Sequence, residues 1–155
     1  QVDAVGRDAL QQVEEVQVEP GTAQVLREGD AVSIMAVGLM GCEAPGADAV
    51  LAERGISAEV INLSSVKPID AELIAESAGR TGAVVTAEEH QLAGGLGSAV
   101  AEVLGEHAPV PLERVGVRDE WGQSGEAYEL VEHYRLTPEH IVERAVQAVE
   151  RKERS

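Results

Sequence analysis

Three acid/base side chains stand in a row at Glu88, Glu89 and His90, and glycines follow at 94, 95 and 97. Carboxylates beside an imidazole could act as general acid and base, or hold half of a metal site. A glycine-rich loop opening a helix could cradle a phosphate on backbone N–H groups. The details weigh against each. Gly94–Gly95–Leu96–Gly97 is neither G-x-G-x-x-G nor a P-loop, no Lys opens the helix, and two acids lie just upstream. Adjacent residues on a strand face opposite ways, so Glu88 and Glu89 share one centre only where the chain has already turned. His107, His133 and His140 are scattered and make no H-x-x-x-H pair. The plainer reading gives Glu88 a hydrogen bond to backbone or to a neighbouring domain, and packs His90 at an interface.

A second polar concentration is Arg118–Gly125, which carries Asp119, Ser124 and the only tryptophan, Trp121. A lone Trp among charges is either an anchor for a partner or a lid over the core; the scarcity of other aromatics favours the anchor. A nucleophile elbow would need G-x-S-x-G, which neither Gly97–Ser98 nor Ser124–Gly125 supplies. Cys42, beside Glu43 in acidic surroundings, reads as unreactive. By themselves these residues make no active site.

The elements that must position them follow from periodicity. Gly82–Val85 reads as a short buried strand, with 86–95 as the loop after its carboxyl end. From about Leu96, Ala99, Val100, Val103 and Leu104 recur at helical spacing, and Ser98 is placed to cap that helix. Upstream, Ala23–Glu28 alternates as an edge strand. A tight turn then leads to the apolar strand Ala31–Gly38, making the two antiparallel neighbours or near neighbours. The first helix is expected to start near Glu43 or Ala44, with Pro45 in its first turn and Ala49, Val50 and Leu51 facing inward. Strand Ser57–Leu63, a short helix from Asp70 or Ala71, strand Pro111–Val117 and helices Glu126–Tyr134 and Thr137–Arg151 complete the chain. Strands alternating with helices give an α/β fold. It is a three-layer α/β/α sandwich on a five-stranded, mostly parallel sheet whose first strand is antiparallel. Residues 1–20, polar and closed by Pro20–Gly21, read as a linker or connector to a domain at 21–155.

A chain of 155 residues suits one domain, and with no Phe its core must be aliphatic. A net charge of −16 repels phosphate backbones and anionic lipid, so neither nucleic acid nor membrane is an expected partner. No apolar run approaches the ~18 residues of a membrane span. One cysteine excludes an internal disulfide and fits a reducing, cytoplasmic setting.

Five stretches in order, REGDAVSIMAVGLM (27–40), ISAEVINLSSVKPID (56–70), TGAVVTAEEHQLAGGLGSAVAEVL (81–104), RVGVRDEWGQSG (114–125) and YRLTPEHIVERAVQAV (134–149), resemble the C-terminal domain of transketolase. The similarity is nearest to the split type, in which this domain ends the smaller subunit, and it covers roughly residues 21–152. Related domains end deoxyxylulose phosphate synthase and the β-subunits of 2-oxo-acid dehydrogenases. The resemblance implies an enzyme that uses thiamine diphosphate and Mg to transfer a two-carbon ketol unit. Cofactor and metal would sit on separate cofactor-binding and pyrimidine-binding domains or subunits. The G-D-G motif of the diphosphate-binding domain is not in this sequence, so no catalytic, cofactor-binding or metal residue is assigned here. The chain is expected to be inactive alone and to join a symmetric oligomer. Glu88, Glu89, His90, Asp119, Trp121 and Ser124 are expected to form its interface. The helix start Cys42–Glu43–Ala44–Pro45–Gly46 departs from the family pattern. That leaves room for a specialised transketolase-like enzyme, or for an interaction module that docks an acyl-carrier partner.

Overall fold

The computed structural model describes residues 19–155, so the connector read at 1–20 lies almost wholly outside the described residues. Five strands, β1 (Ala23–Arg27), β2 (Val32–Ala36), β3 (Ala58–Leu63), β4 (Val84–Gln91) and β5 (Leu112–Val117), form one sheet in the order β1-β3-β2-β4-β5. The pairs β2–β3, β2–β4 and β4–β5 are parallel, and β1 runs antiparallel to β3. Strands β1 and β2 are thus near neighbours, with β3 between them.

Helices α1 (Met40–Glu53), α4 (Ala127–His133) and α5 (Pro138–Glu153) lie on one face of the sheet; α2 (Ala71–Thr81) and α3 (Leu96–His107) lie on the other. The strands sort their side chains by alternation. Ile34, Val60, Val85 and Ala87 enter the α1/α5 core, while Met35, Ile61 and Val84 enter the α2/α3 core. Central strand β2 is buried at every position, as a strand covered on both faces must be.

Two helical expectations are corrected. Helix α1 begins at Met40, three residues before the earliest start read from sequence, so Pro45 lies inside it. A hydrogen bond from Leu39 N–H to Glu89 on β4 holds that early start. The inward residues of α1 are Met40, Ala44, Ala47 and Leu51, a 4-3-4 spacing, whereas Ala49 and Val50 are exposed. Small Ala44 and Ala47 face α5, where Ala145 and Ala148 are also buried, and small side chains allow two helix backbones to approach.

The ends of the helices are tied to the sheet by polar groups. Asp70 caps α2 by accepting from Leu73 N–H at 3.1 Å, and its other oxygen accepts from Ala23 N–H of β1 at 2.9 Å. Lys152 of α5 donates to the carbonyls of Thr81 and Ala31 at 2.9 and 2.8 Å, closing the C-terminus of α2. Buried Glu59 accepts from Ser33 Oγ at 2.8 Å and pairs with Arg80.

Candidate functional site

Strand β4 is longer than periodicity suggested. It runs through Gln91, so Glu88, Glu89 and His90 belong to the strand and not to the loop beyond it. The pairing with β5 explains why the signal stops early. Ala87 opposes Val115 and Gln91 opposes Val117, four steps on β4 against two on β5. The three acid/base residues form a bulge, which breaks strict alternation and re-aims side chains.

Glu88 points to the α2/α3 face. Its carboxylate accepts from Leu96 N–H at 2.7 Å and Gly97 N–H at 2.9 Å, the first two residues of α3, and the residue is 1% exposed. A helix N-terminus favours an anion through its free N–H groups and its dipole. Here the protein supplies that anion itself. The glycines have the same cause: a Cβ on Gly95 would run into the Glu88 carboxylate and the Gln91 carbonyl. One on Gly97 would meet Arg114 and Thr86. Ser98 is the third residue of α3 and not its N-cap, which is Gly95. Its hydroxyl accepts from Gly94 N–H at 3.0 Å and donates to the Leu92 carbonyl at 2.9 Å, closing the loop backwards.

Glu89 points to the opposite face. Its Oε1 accepts from Leu39 N–H at 3.2 Å, at the start of α1, and it lies over Gly38, whose φ is +61°. Its Oε2 is buried with no partner among the described residues. His90 and Gln91 are exposed.

Gln91 then joins the two polar stretches. Its side-chain amide accepts from Asp119 N–H and donates to the Glu120 carbonyl, both at 2.9 Å. Tyr134 grips the same loop further on: its hydroxyl donates to the Trp121 carbonyl and accepts from Gln123 N–H, both at 2.9 Å. Four bonds to the backbone thus hold a loop in which 118–126 are all exposed, and Trp121 stands 94% exposed. Within this chain Trp121 is not a lid over the core. Gln91 thus ties the end of β4 to the exposed loop that carries Asp119, Trp121 and Ser124, whereas Glu88 and Glu89, expected on the same surface, turn inward to the starts of α3 and α1. The periodic signal missed Gln91 and Tyr134. Gln91 directly follows the acid/base triplet, and Tyr134 is one of two tyrosines, which were the signals available.

No group of three or more His, Cys, Asp or Glu among the described residues could hold a metal. The glycine loop offers no diphosphate cradle, because Glu88 fills the N–H groups of α3. No helix among the described residues is long and apolar enough to cross a membrane.

This five-stranded sheet between two helix layers is the fold of a transketolase C-terminal domain. Residues 21–141 match the family described as transketolase, C-terminal domain, and the chain belongs to it. It is 53% identical over 132 residues to the 6-deoxy-6-sulfo-D-fructose transketolase subunit SqwH of Clostridium sp. (strain MSTE9), covering 85% of this chain and 41% of that protein. It is 40% identical over 139 residues to a putative transketolase C-terminal section from Methanocaldococcus jannaschii, covering 89% and 43%. A solved split-gene transketolase, an inactive beta4 tetramer, superposes with a TM-score of 0.85 at 49% identity, covering 88% of this chain and 45% of that one. The chain spans less than half the length of these relatives.

Proposed function

We propose that this domain serves a thiamine-diphosphate-dependent, transketolase-type transferase as its assembly and support module. The match of residues 21–141 to the family's C-terminal domain carries the reading. Thiamine diphosphate and Mg belong to companion cofactor-binding and pyrimidine-binding domains, whether on the same polypeptide or on another. When bound there, the cofactor supplies the carbanion chemistry that moves a two-carbon ketol unit. The residues of this chain do something else. His90, Asp119, Trp121 and Ser124 meet the companion, and Glu88, Glu89, Gln91 and Tyr134 fix the backbone that presents them.

The braced loop supports this role. An exposed aromatic whose backbone is already ordered loses little entropy on docking, which is the condition for an interface anchor. The working setting is a cytoplasmic, symmetric oligomer. Mixing tests the reading: the chain should turn over a ketose donor and an aldose acceptor only with a cofactor-bearing companion present. Turnover by the purified chain alone would overturn it.

A further inference from the structure

We propose that a cavity of about 220 Å³ between the end of β5 and the α4–α5 turn is a binding site for a phosphomonoester. Arg118, Arg135, Arg144, His133 and His140 line it. That concentration stands out in a chain with 12 Lys and Arg against 28 Asp and Glu. A surface so acidic repels free anions, so a cavity that gathers arginines is where an anion would be held.

The cations come from separate elements: Arg118 from the loop after β5, Arg135 from the turn, and Arg144 from α5. Arg118 has no acidic partner within 4.0 Å among the described residues. Arg135 and Arg144 each approach one carboxylate, Glu143 at 3.3 Å and Glu113 at 3.4 Å. Arg144 also donates to Gln147 at 2.8 Å, from the same nitrogen that approaches Glu113; with five N–H donors on each guanidinium, both arginines keep donors to spare. His140 Nδ1 is shared with Thr137 Oγ1 at 2.9 Å, leaving Nε2 for a ligand. Glu120 also lines the cavity, and its charge opposes an anion there; the four lining arginines, Arg114 of β5 being the fourth, outnumber it.

The backbone adds an independent observation. Helix α4 ends in a Schellman motif, with Leu136 N–H on the Val131 carbonyl at 2.8 Å and Arg135 N–H on Glu132 at 3.0 Å. The residue in left-handed conformation there, φ +58°, is Arg135, where glycine would be unstrained. Strain of this kind, kept where a simpler residue would relieve it, gathers at binding sites. Guanidinium groups converging from three directions suit a tetrahedral oxyanion better than a planar carboxylate, which a single arginine satisfies. The volume equals about seven water molecules, room for a phosphate and a short carbon skeleton. This site stands or falls independently of the assembly role.

The test uses the full chain, titrated separately with inorganic phosphate, glycerol 3-phosphate and glycerol. Trp121 emission is one readout, since Tyr134 lines the cavity and holds the Trp121 carbonyl. Ring NMR signals of His133 and His140 are the other, with His107 as an internal reference. The expected result is saturation by glycerol 3-phosphate with shifts at both histidines, none with glycerol, and weakening by about tenfold or more in Arg118→Ala. Arg151→Ala, outside the cavity, should bind normally. Tighter binding of glycerol 3-phosphate than of phosphate identifies an organic ester as the ligand; equal binding identifies the free anion. No saturation, or saturation unchanged in Arg118→Ala, would overturn the site.

Discussion

Glu88 and Glu89 are adjacent on β4, yet their carboxylates serve the starts of two helices on opposite faces of the sheet. Glu88 accepts from Leu96 and Gly97 at 2.7 and 2.9 Å, and Glu89 from Leu39 at 3.2 Å. One strand end therefore fixes where α3 and α1 begin. A pair that in the sequence could be acid/base machinery accepts backbone N–H bonds at two helix starts in the fold.

Glu88→Ala should destabilise the chain by roughly 2–4 kcal/mol, because it strands two N–H groups in a buried helix start and removes an anion from a helix N-terminus. Glu88→Gln, which keeps one acceptor without the charge, should lose less. Thermal unfolding checks both, and equal melting of all three proteins would remove Glu88 from this role.

The glycines of the same loop divide by what surrounds them. Gly95→Ala and Gly97→Ala must displace Glu88, Gln91 or Arg114, so both should lower the melting temperature. Gly105 lies inside α3, and a Cβ there would meet no atom within 4 Å. Its change to Ala should instead gain about 0.5–1 kcal/mol. A uniform response across the three would mean that the close contacts do not limit this loop.

A pH-dependent effect is expected at the α1/α5 contact. Burial, and then the charge of Glu139, raise the carboxyl of Glu43 above its ordinary 4.5. A raised acid is held protonated more readily in the folded state, so its contribution is favourable at low pH and lost as pH rises through the folded value. Glu43→Gln should therefore raise stability modestly at pH 7, with the gain fading as pH falls through the range just above 4.5 and below it. Denaturant unfolding at pH 7 and pH 4 tests the sign; a gain that grows on acidification would be the wrong sign.

Much of this was legible in the sequence because local signals agreed with the global fold. Thr137–Pro138 opened α5 where expected, and Ile141, Val142 and Ala145 supplied its buried stripe. The antiparallel first strand was legible from its short turn. What failed was local pattern under tertiary control. The start of α1 was hidden by Pro45, and contacts from Glu89 on a distant strand hold it at Met40. The extent of β4 was hidden by its bulge, where charged residues lie in the strand. The Gln91 and Tyr134 braces escaped the periodic signal: Gln91 reaches residues that only the β4–β5 pairing brings near, and Tyr134 reaches back across α4 to the loop before it.

Anchor and brace are separate residues on this loop, Trp121 and Gln91. Trp121 is 94% exposed, so Trp121→Ala removes almost no contact within the chain and should leave its melting nearly unchanged. In assembly the same change should cost about 2 kcal/mol, the scale of an aromatic anchor at an interface. Gln91→Ala leaves the anchor but breaks two bonds to the loop backbone at Asp119 and Glu120. The loop must then be ordered at docking, and assembly should weaken by less than in Trp121→Ala. Because both act on one loop, the double variant should fall short of the sum of the singles. Sedimentation of the chain, alone and with a cofactor-bearing companion, measures each. If Trp121→Ala assembles as the unaltered chain does, the loop is not the contact; if Gln91→Ala alone weakens assembly, the loop backbone and not the indole makes it.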